Sequence, residues 1–78
     1  MFFEVVKAEY LDSYKVKLLF NTGEVKVVDL SQSLNGSFFL PLRNIDFFKS
    51  FTIKFNTIEW SNGADYAPEY LYDLGVAV

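Results

Sequence analysis

Apolar and polar residues alternate in three short runs near the start of the chain. Phe3 to Leu11, Tyr14 to Phe20 and Glu24 to Asp29 are rich in Val, Leu, Tyr and Phe, and Asp12-Ser13 and Asn21-Thr22-Gly23 separate them. The pattern predicts a three-stranded antiparallel meander. Slipping a strand by one residue sends its buried set to the other face, so the apolar pattern also predicts a register. It sets Tyr10 opposite Val16, Ala8 opposite Leu18, Val6 opposite Phe20, Leu18 opposite Val27 and Phe20 opposite Val25. One face then carries Val6, Ala8, Tyr10, Val16, Leu18, Phe20, Val25 and Val27. The solvated face carries Lys7, Glu9, Lys15, Lys17 and Lys26, with Glu9 opposite Lys17.

From Ser31 to Arg43 the periodicity is lost, with Asn35-Gly36 as a breaker and Pro41 ending any turn made by Phe38 to Leu40. Asn44 is placed to cap a short helix running through Ser50, because its side-chain oxygen can accept a first-turn N–H and Asp46 suits the positive end. A second hairpin is expected at Phe51–Phe55 and Ile58–Trp60 around Asn56-Thr57. It sets Lys54 opposite Glu59, Ile53 opposite Trp60, and an apolar face of Ile53, Phe55, Ile58 and Trp60. Pro68 suits the first position of a last helix and Gly75 lies just past its end, which predicts Pro68 to Leu74. The order βββ, loop, α, ββ, α implies an α+β domain, residues 1–78, with a mostly antiparallel sheet and two short helices on one face.

Inventory then narrows the chemistry. The chain has no His and no Cys, which removes Ser-His-Asp and Cys-His triads, disulfides and the usual zinc sites. Its acids are dispersed without the spacing of a calcium loop, and its four glycines do not cluster as in a phosphate-binding turn. No catalytic residue, metal ligand or cofactor is expected, and the reading is not an enzyme. A net charge of -3 opposes direct nucleic-acid binding, which rests on clustered Lys and Arg. The N-terminus has no basic signal-like region, and no apolar run reaches a membrane span of ~20 residues, so the expected location is cytoplasmic.

Aromatic residues make up 19% of the chain, more than a core of this size readily absorbs in adjacent pairs. Phe38-Phe39 and Phe47-Phe48 place neighbours about 100° apart on a helix or on opposite faces of a strand. One member of these pairs is expected to face solvent. That makes Phe38, Phe39, Phe47 and Phe48 candidate interface residues, for self-association into a homo-oligomer or for a partner, against the alternative that all four rings are buried.

Val5 to Phe20, Gly23 to Leu30, Pro41-Leu42-Arg43, and Trp60-Ser61-Asn62-Gly63-Ala64-Asp65 followed by Pro68-Glu69 resemble a small bacterial family, Domain of Unknown Function 2442. The family's signature is Trp-Pro-Asn-Gly-Ala-Asp, then Asp-Pro-Glu and a Leu-Tyr helix. Here Ser61 replaces the first proline, Ala67 replaces the aspartate, and the hairpin at Asn56-Thr57 is shorter than usual. The resemblance implies an α+β domain, sometimes fused to a helix-turn-helix and often encoded beside another small protein, a layout similar to toxin-antitoxin pairs. It marks Trp60, Asn62, Gly63 and Asp65 as a candidate binding loop, although Asn-Gly also makes turns and Asp65 can serve the backbone. The expected role is a protein-interaction module, the acidic antitoxin-like member of a pair with a basic partner from a neighbouring gene. The alternative is a small-ligand sensor near Trp60 and Asp65 that works with a DNA-binding partner.

Overall fold

The computed structural model describes residues 2–78. Its elements are β1 (Val5–Asp12), β2 (Lys15–Phe20), β3 (Val25–Asp29), a 3-10 turn (Leu40–Arg43), α1 (Ile45–Phe48), β4 (Thr52–Lys54), β5 (Thr57–Glu59), α2 (Pro68–Leu74) and β6 (Val76–Ala77). An antiparallel sheet has the order β1-β2-β3-β6, and β4 pairs with β5 in a separate hairpin. The fold is α+β. The alternating segments form the three expected strands, but β6 is too short to leave a periodic signal.

The first hairpin keeps most of its expected register: Ala8 faces Leu18, Glu9 faces Lys17 and Tyr10 faces Val16. A bulge between Val5 and Lys7 changes its open end, so that Val5, and not Val6, lies opposite Phe20. Val5 therefore enters the core and Val6 is half exposed.

The second connection overturns the expected β2–β3 register. Phe20 N–H donates to the Glu24 carbonyl at 2.9 Å, and Gly23 N–H donates to the Phe20 carbonyl at 2.9 Å. The loop is therefore three residues long, Asn21 to Gly23, with Gly23 at φ +89°. A side chain resists that left-handed conformation, which suits a type I turn closed by a glycine bulge. Leu18 thus faces Lys26, Lys17 faces Val27 and Leu19 faces Val25. Val25 and Val27 leave the core face, and Lys26 moves onto it. Val28 and Leu30 take the places expected for them, and both are fully buried.

The β4–β5 hairpin departs too: its turn moves by one residue and its register therefore by two. Phe55 and Asn56 both have positive φ, 52° and 67°, and form a two-residue turn in place of Asn56-Thr57. Ile53 faces Ile58, Lys54 faces Thr57 and Thr52 faces Glu59. Lys54 reaches Glu59 diagonally, at 3.8 Å. The expected apolar face is halved: Ile58 and Trp60 are buried, whereas Ile53 and Phe55 are exposed.

Both helices start where the capping residues place them. Asn44 Oδ1 accepts Phe47 N–H at 3.2 Å, although α1 ends at Phe48 and does not continue to Ser50. Pro41 lies inside the 3-10 turn, near its start, and does not terminate it. Leu71 of α2 and Phe48 of α1 join Val16, Leu18, Phe20, Val28, Leu30, Leu42, Ile58 and Trp60 in one core on a single side of the sheet. The Trp60 indole N–H is satisfied there by the Phe48 carbonyl at 2.7 Å.

Two glycines set this geometry for different reasons. At Gly23 the cost of a side chain is conformational, since no atom lies within 4 Å of an added Cβ. At Gly75 φ is ordinary, but an added Cβ would meet Lys26 Cβ at 2.9 Å and the Leu71 carbonyl at 3.1 Å. Gly23→Ala is expected to cost about 1–2 kcal/mol through backbone strain, and Gly75→Ala about 1–3 kcal/mol through overpacking. Urea denaturation midpoints at unchanged slope check both, and a neutral Gly75→Ala would contradict the close packing of α2 on β3.

Candidate functional site

The shifted register gives the outer sheet face an apolar half. Leu19 faces Val25 on that side, and Val27 faces Val76 of β6. Val78 N–H extends the ladder by donating to the Val25 carbonyl at 3.2 Å. Leu19, Val25 and Val27 are partly exposed; Val76 and Val78 are 70% and 78% exposed. A groove of about 450 Å³ lies here, lined by Lys15, Val27, Asp29, Leu74, Val76, Ala77 and Val78. Its two charges, Lys15 and Asp29, face each other across the strands. The Ser31 backbone N–H and hydroxyl, and then the Lys15 charge, hold Asp29 below its ordinary carboxylate pKa.

Lys26 explains how β6 reaches the sheet. Its ammonium donates to the Tyr72 carbonyl at 2.9 Å and lies 3.5 Å from the Tyr72 ring centroid. These contacts hold the last turn of α2 against β3, and the chain then crosses at Gly75 into β6. The Tyr72 hydroxyl donates to Glu24 Oε1 at 2.6 Å, and the Tyr72 ring stacks on Phe3 at 3.9 Å. The Tyr72 hydroxyl first, with help from Thr22 and the Lys26 charge, lowers the Glu24 pKa.

The structure brings the two groups of sequence-named residues together at one loop. Asn62 Oδ1 accepts Ala64 N–H at 3.1 Å, and its amide donates to the Phe38 carbonyl at 2.9 Å. Phe38 is 60% exposed and its ring lies beside Gly63, which has φ +89°. Trp60 is buried, and Asp65 forms an isolated antiparallel bridge with Glu59. Asn62 thus closes its own turn through Oδ1 and ties the loop to the Phe38 segment through its amide. Phe48 is fully buried, so the expected four-residue interface loses that member. Phe39 stacks on Tyr66 at 4.8 Å and, like Phe47, packs partly against the core. Phe38 is the solvent-facing member of the two pairs. Beside the loop lies a polar cleft of about 510 Å³ lined by Ser50, Thr52, Lys54, Glu59, Trp60, Ser61 and Gly63. Among the described residues no group of three or more acids is placed to hold a metal ion.

A family model described as a protein of unknown function, DUF2442, matches residues 5–77. The chain belongs to this family. No curated protein and no solved structure matched it. The DUF2442 match covers every strand and helix described above, including β6, and takes in every residue lining the outer groove except Val78.

Sequence reasoning missed the outer groove because it placed Val25 and Val27 in the core. The available signal was Asn21-Thr22-Gly23 read as a three-residue hairpin loop with glycine last, which moves the register by one. The Tyr72–Glu24 bond generates a pH prediction. A carboxylate with a depressed folded pKa stabilises the fold above its unfolded pKa, and this contribution is lost as pH falls through the folded value. Tyr72→Phe should raise the Glu24 pKa toward its ordinary value of 4.5 and shrink this part of the acid-side loss. NMR titration of the Glu24 carboxyl carbon reads the change, and an unmoved midpoint would contradict the assigned cause.

Proposed function

We propose that this DUF2442 domain is a non-enzymatic protein-interaction module whose partner seats on the outer sheet face. The observation that carries the reading is the contiguous apolar surface of Leu19, Val25, Val27, Val76 and Val78 around an open groove. Exposed apolar area of this kind costs stability in a chain of 78 residues unless something covers it. The groove's two charges already face each other, so it offers an apolar partner surface little polar discrimination beyond the rim. A net charge of -3 favours a basic partner through long-range steering. The two-gene layout implied by the resemblance makes the neighbouring gene product the first partner to test, with this chain as the acidic antitoxin-like member.

The polar cleft beside Trp60 favours a second reading, a small-ligand sensor, because it combines Lys54, Glu59 and three hydroxyl side chains at one opening. One pair of experiments separates the two. Co-expression with the neighbouring gene product should recover a complex, and Val76→Asp or Val27→Asp should weaken it at least about tenfold, the scale of a central interface residue, with an unchanged circular dichroism spectrum. Failure to recover a complex, or full affinity in both variants, counts against the outer face. Stabilisation by a metabolite in a thermal-shift screen would then favour the cleft.

A further inference from the structure

We propose that β1 is a self-pairing edge, joining two copies of this chain about a two-fold axis through Ala8. β1 lies at the edge of the sheet away from β6, so self-pairing there does not depend on a partner seated in the outer groove. β1 is a terminal strand in the order β1-β2-β3-β6. The tip of the β4–β5 hairpin covers its start, where Val5 N–H donates to the Asn56 carbonyl at 2.8 Å. From Lys7 to Tyr10 the strand is regular and pairs with β2 on one side.

The backbone direction follows from the ladder alternation. Phe20 N–H bonds to Glu24, and Leu30 N–H bonds to the Tyr14 carbonyl, so the even-numbered residues of β2 turn their backbone groups toward β3. Lys17 and Leu19 therefore turn theirs toward β1 and meet Glu9 and Lys7. Ala8 and Tyr10 are left with N–H and carbonyl groups pointing out of the sheet edge. Such groups accept another strand unless something blocks them.

Charge selects the occupant and the register. Antiparallel self-pairing centred on Ala8 sets Lys7 opposite Glu9 of the second copy, and Glu9 opposite Lys7 of the second copy. It also forms a reciprocal pair of Ala8 hydrogen bonds across the axis. Moving the centre to Lys7 or to Glu9 places like charges directly opposite, and centring on Tyr10 leaves both charges without partners. Lys7 and Glu9 are both exposed and share the outer face, where a non-hydrogen-bonded pair brings side chains closest. The bulges at either end of the regular segment limit the added ladder to these few residues, so a second copy fits better than a long continuing stack. The axis runs perpendicular to the sheet, which puts the two outer grooves on the same side of an eight-stranded sheet.

Sedimentation equilibrium over a concentration series tests the proposal. The wild-type chain should approach twice its 9.0 kDa mass at high concentration and move toward monomer in high salt. Lys7→Glu should weaken the dimer at least about tenfold, since it replaces two attractive pairs with two repulsive ones. The exchange K7E/E9K should restore it. Ala8→Pro removes an outward N–H that the monomer does not use and should abolish association with the fold intact by circular dichroism. A wild type that stays monomeric at all concentrations overturns the proposal. So does a dimer that tolerates both Lys7→Glu and a folded Ala8→Pro.

Discussion

The three-residue connection at Asn21 to Gly23 is the constraint on which the arrangement of the sheet depends. Gly23 takes a left-handed backbone, Phe20 and Glu24 close the loop, and β3 is set one residue from the register that apolar matching favours. That step sends Lys26 to the helix side, where it holds the Tyr72 carbonyl and covers the Tyr72 ring. It sends Val25 and Val27 to the outside, beside Val76 and Val78. The same turn anchors the chain's start: Asn21 accepts Glu4 N–H and donates to the Phe2 carbonyl, which helps bring Phe3 onto Tyr72.

The strands, both helix starts and the α+β class were legible because each rests on a local signal. Alternation marks β1 to β3, Asn44 and Pro68 mark helix beginnings, and Glu9 opposite Lys17 follows from the apolar pattern of the first hairpin. Registers beyond that hairpin were less legible, because a turn with positive φ can outweigh apolar matching. Phe55-Asn56 adopted such a turn although phenylalanine is an unusual occupant, which left Phe55 in solvent. β6 escaped notice for another reason: two residues have no periodicity, and the strand forms through Lys26, Gly75 and the Val78–Val25 bond. Of the candidate site, the sequence located the Asn62 turn and the two Phe pairs, of which Phe38 proved the solvent-facing member. The outer groove depends on long-range register and could not be read from one run of residues.

Aromatic surplus is absorbed mainly by pairing. Phe48 contacts Tyr10, Tyr14 and Trp60 at ring distances of 6.1, 5.3 and 5.7 Å, while Tyr66 meets Phe39, Trp60 and Tyr70. Two tyrosines bond backbone carbonyls at the edge of this cluster: Tyr66 donates to the Ser33 carbonyl at 2.8 Å and Tyr14 to that of Arg43. Burial, and then the neighbouring Tyr70, raises the Tyr66 pKa, so it stays a neutral donor. The core thereby fixes the long Ser31 to Arg43 connection, and exposed apolar surface is left on the outer sheet face at Val76 and Val78 and at isolated rings such as Phe38 and Phe55.

The register itself can be measured by proton NMR. Non-hydrogen-bonded antiparallel pairs bring their Hα atoms close together, so the account predicts strong Hα–Hα cross-peaks for Lys17–Val27 and Leu19–Val25. Cross-strand contacts that instead pair Leu18 with Val27 and Phe20 with Val25 would return both valines to the core and contradict the outer groove.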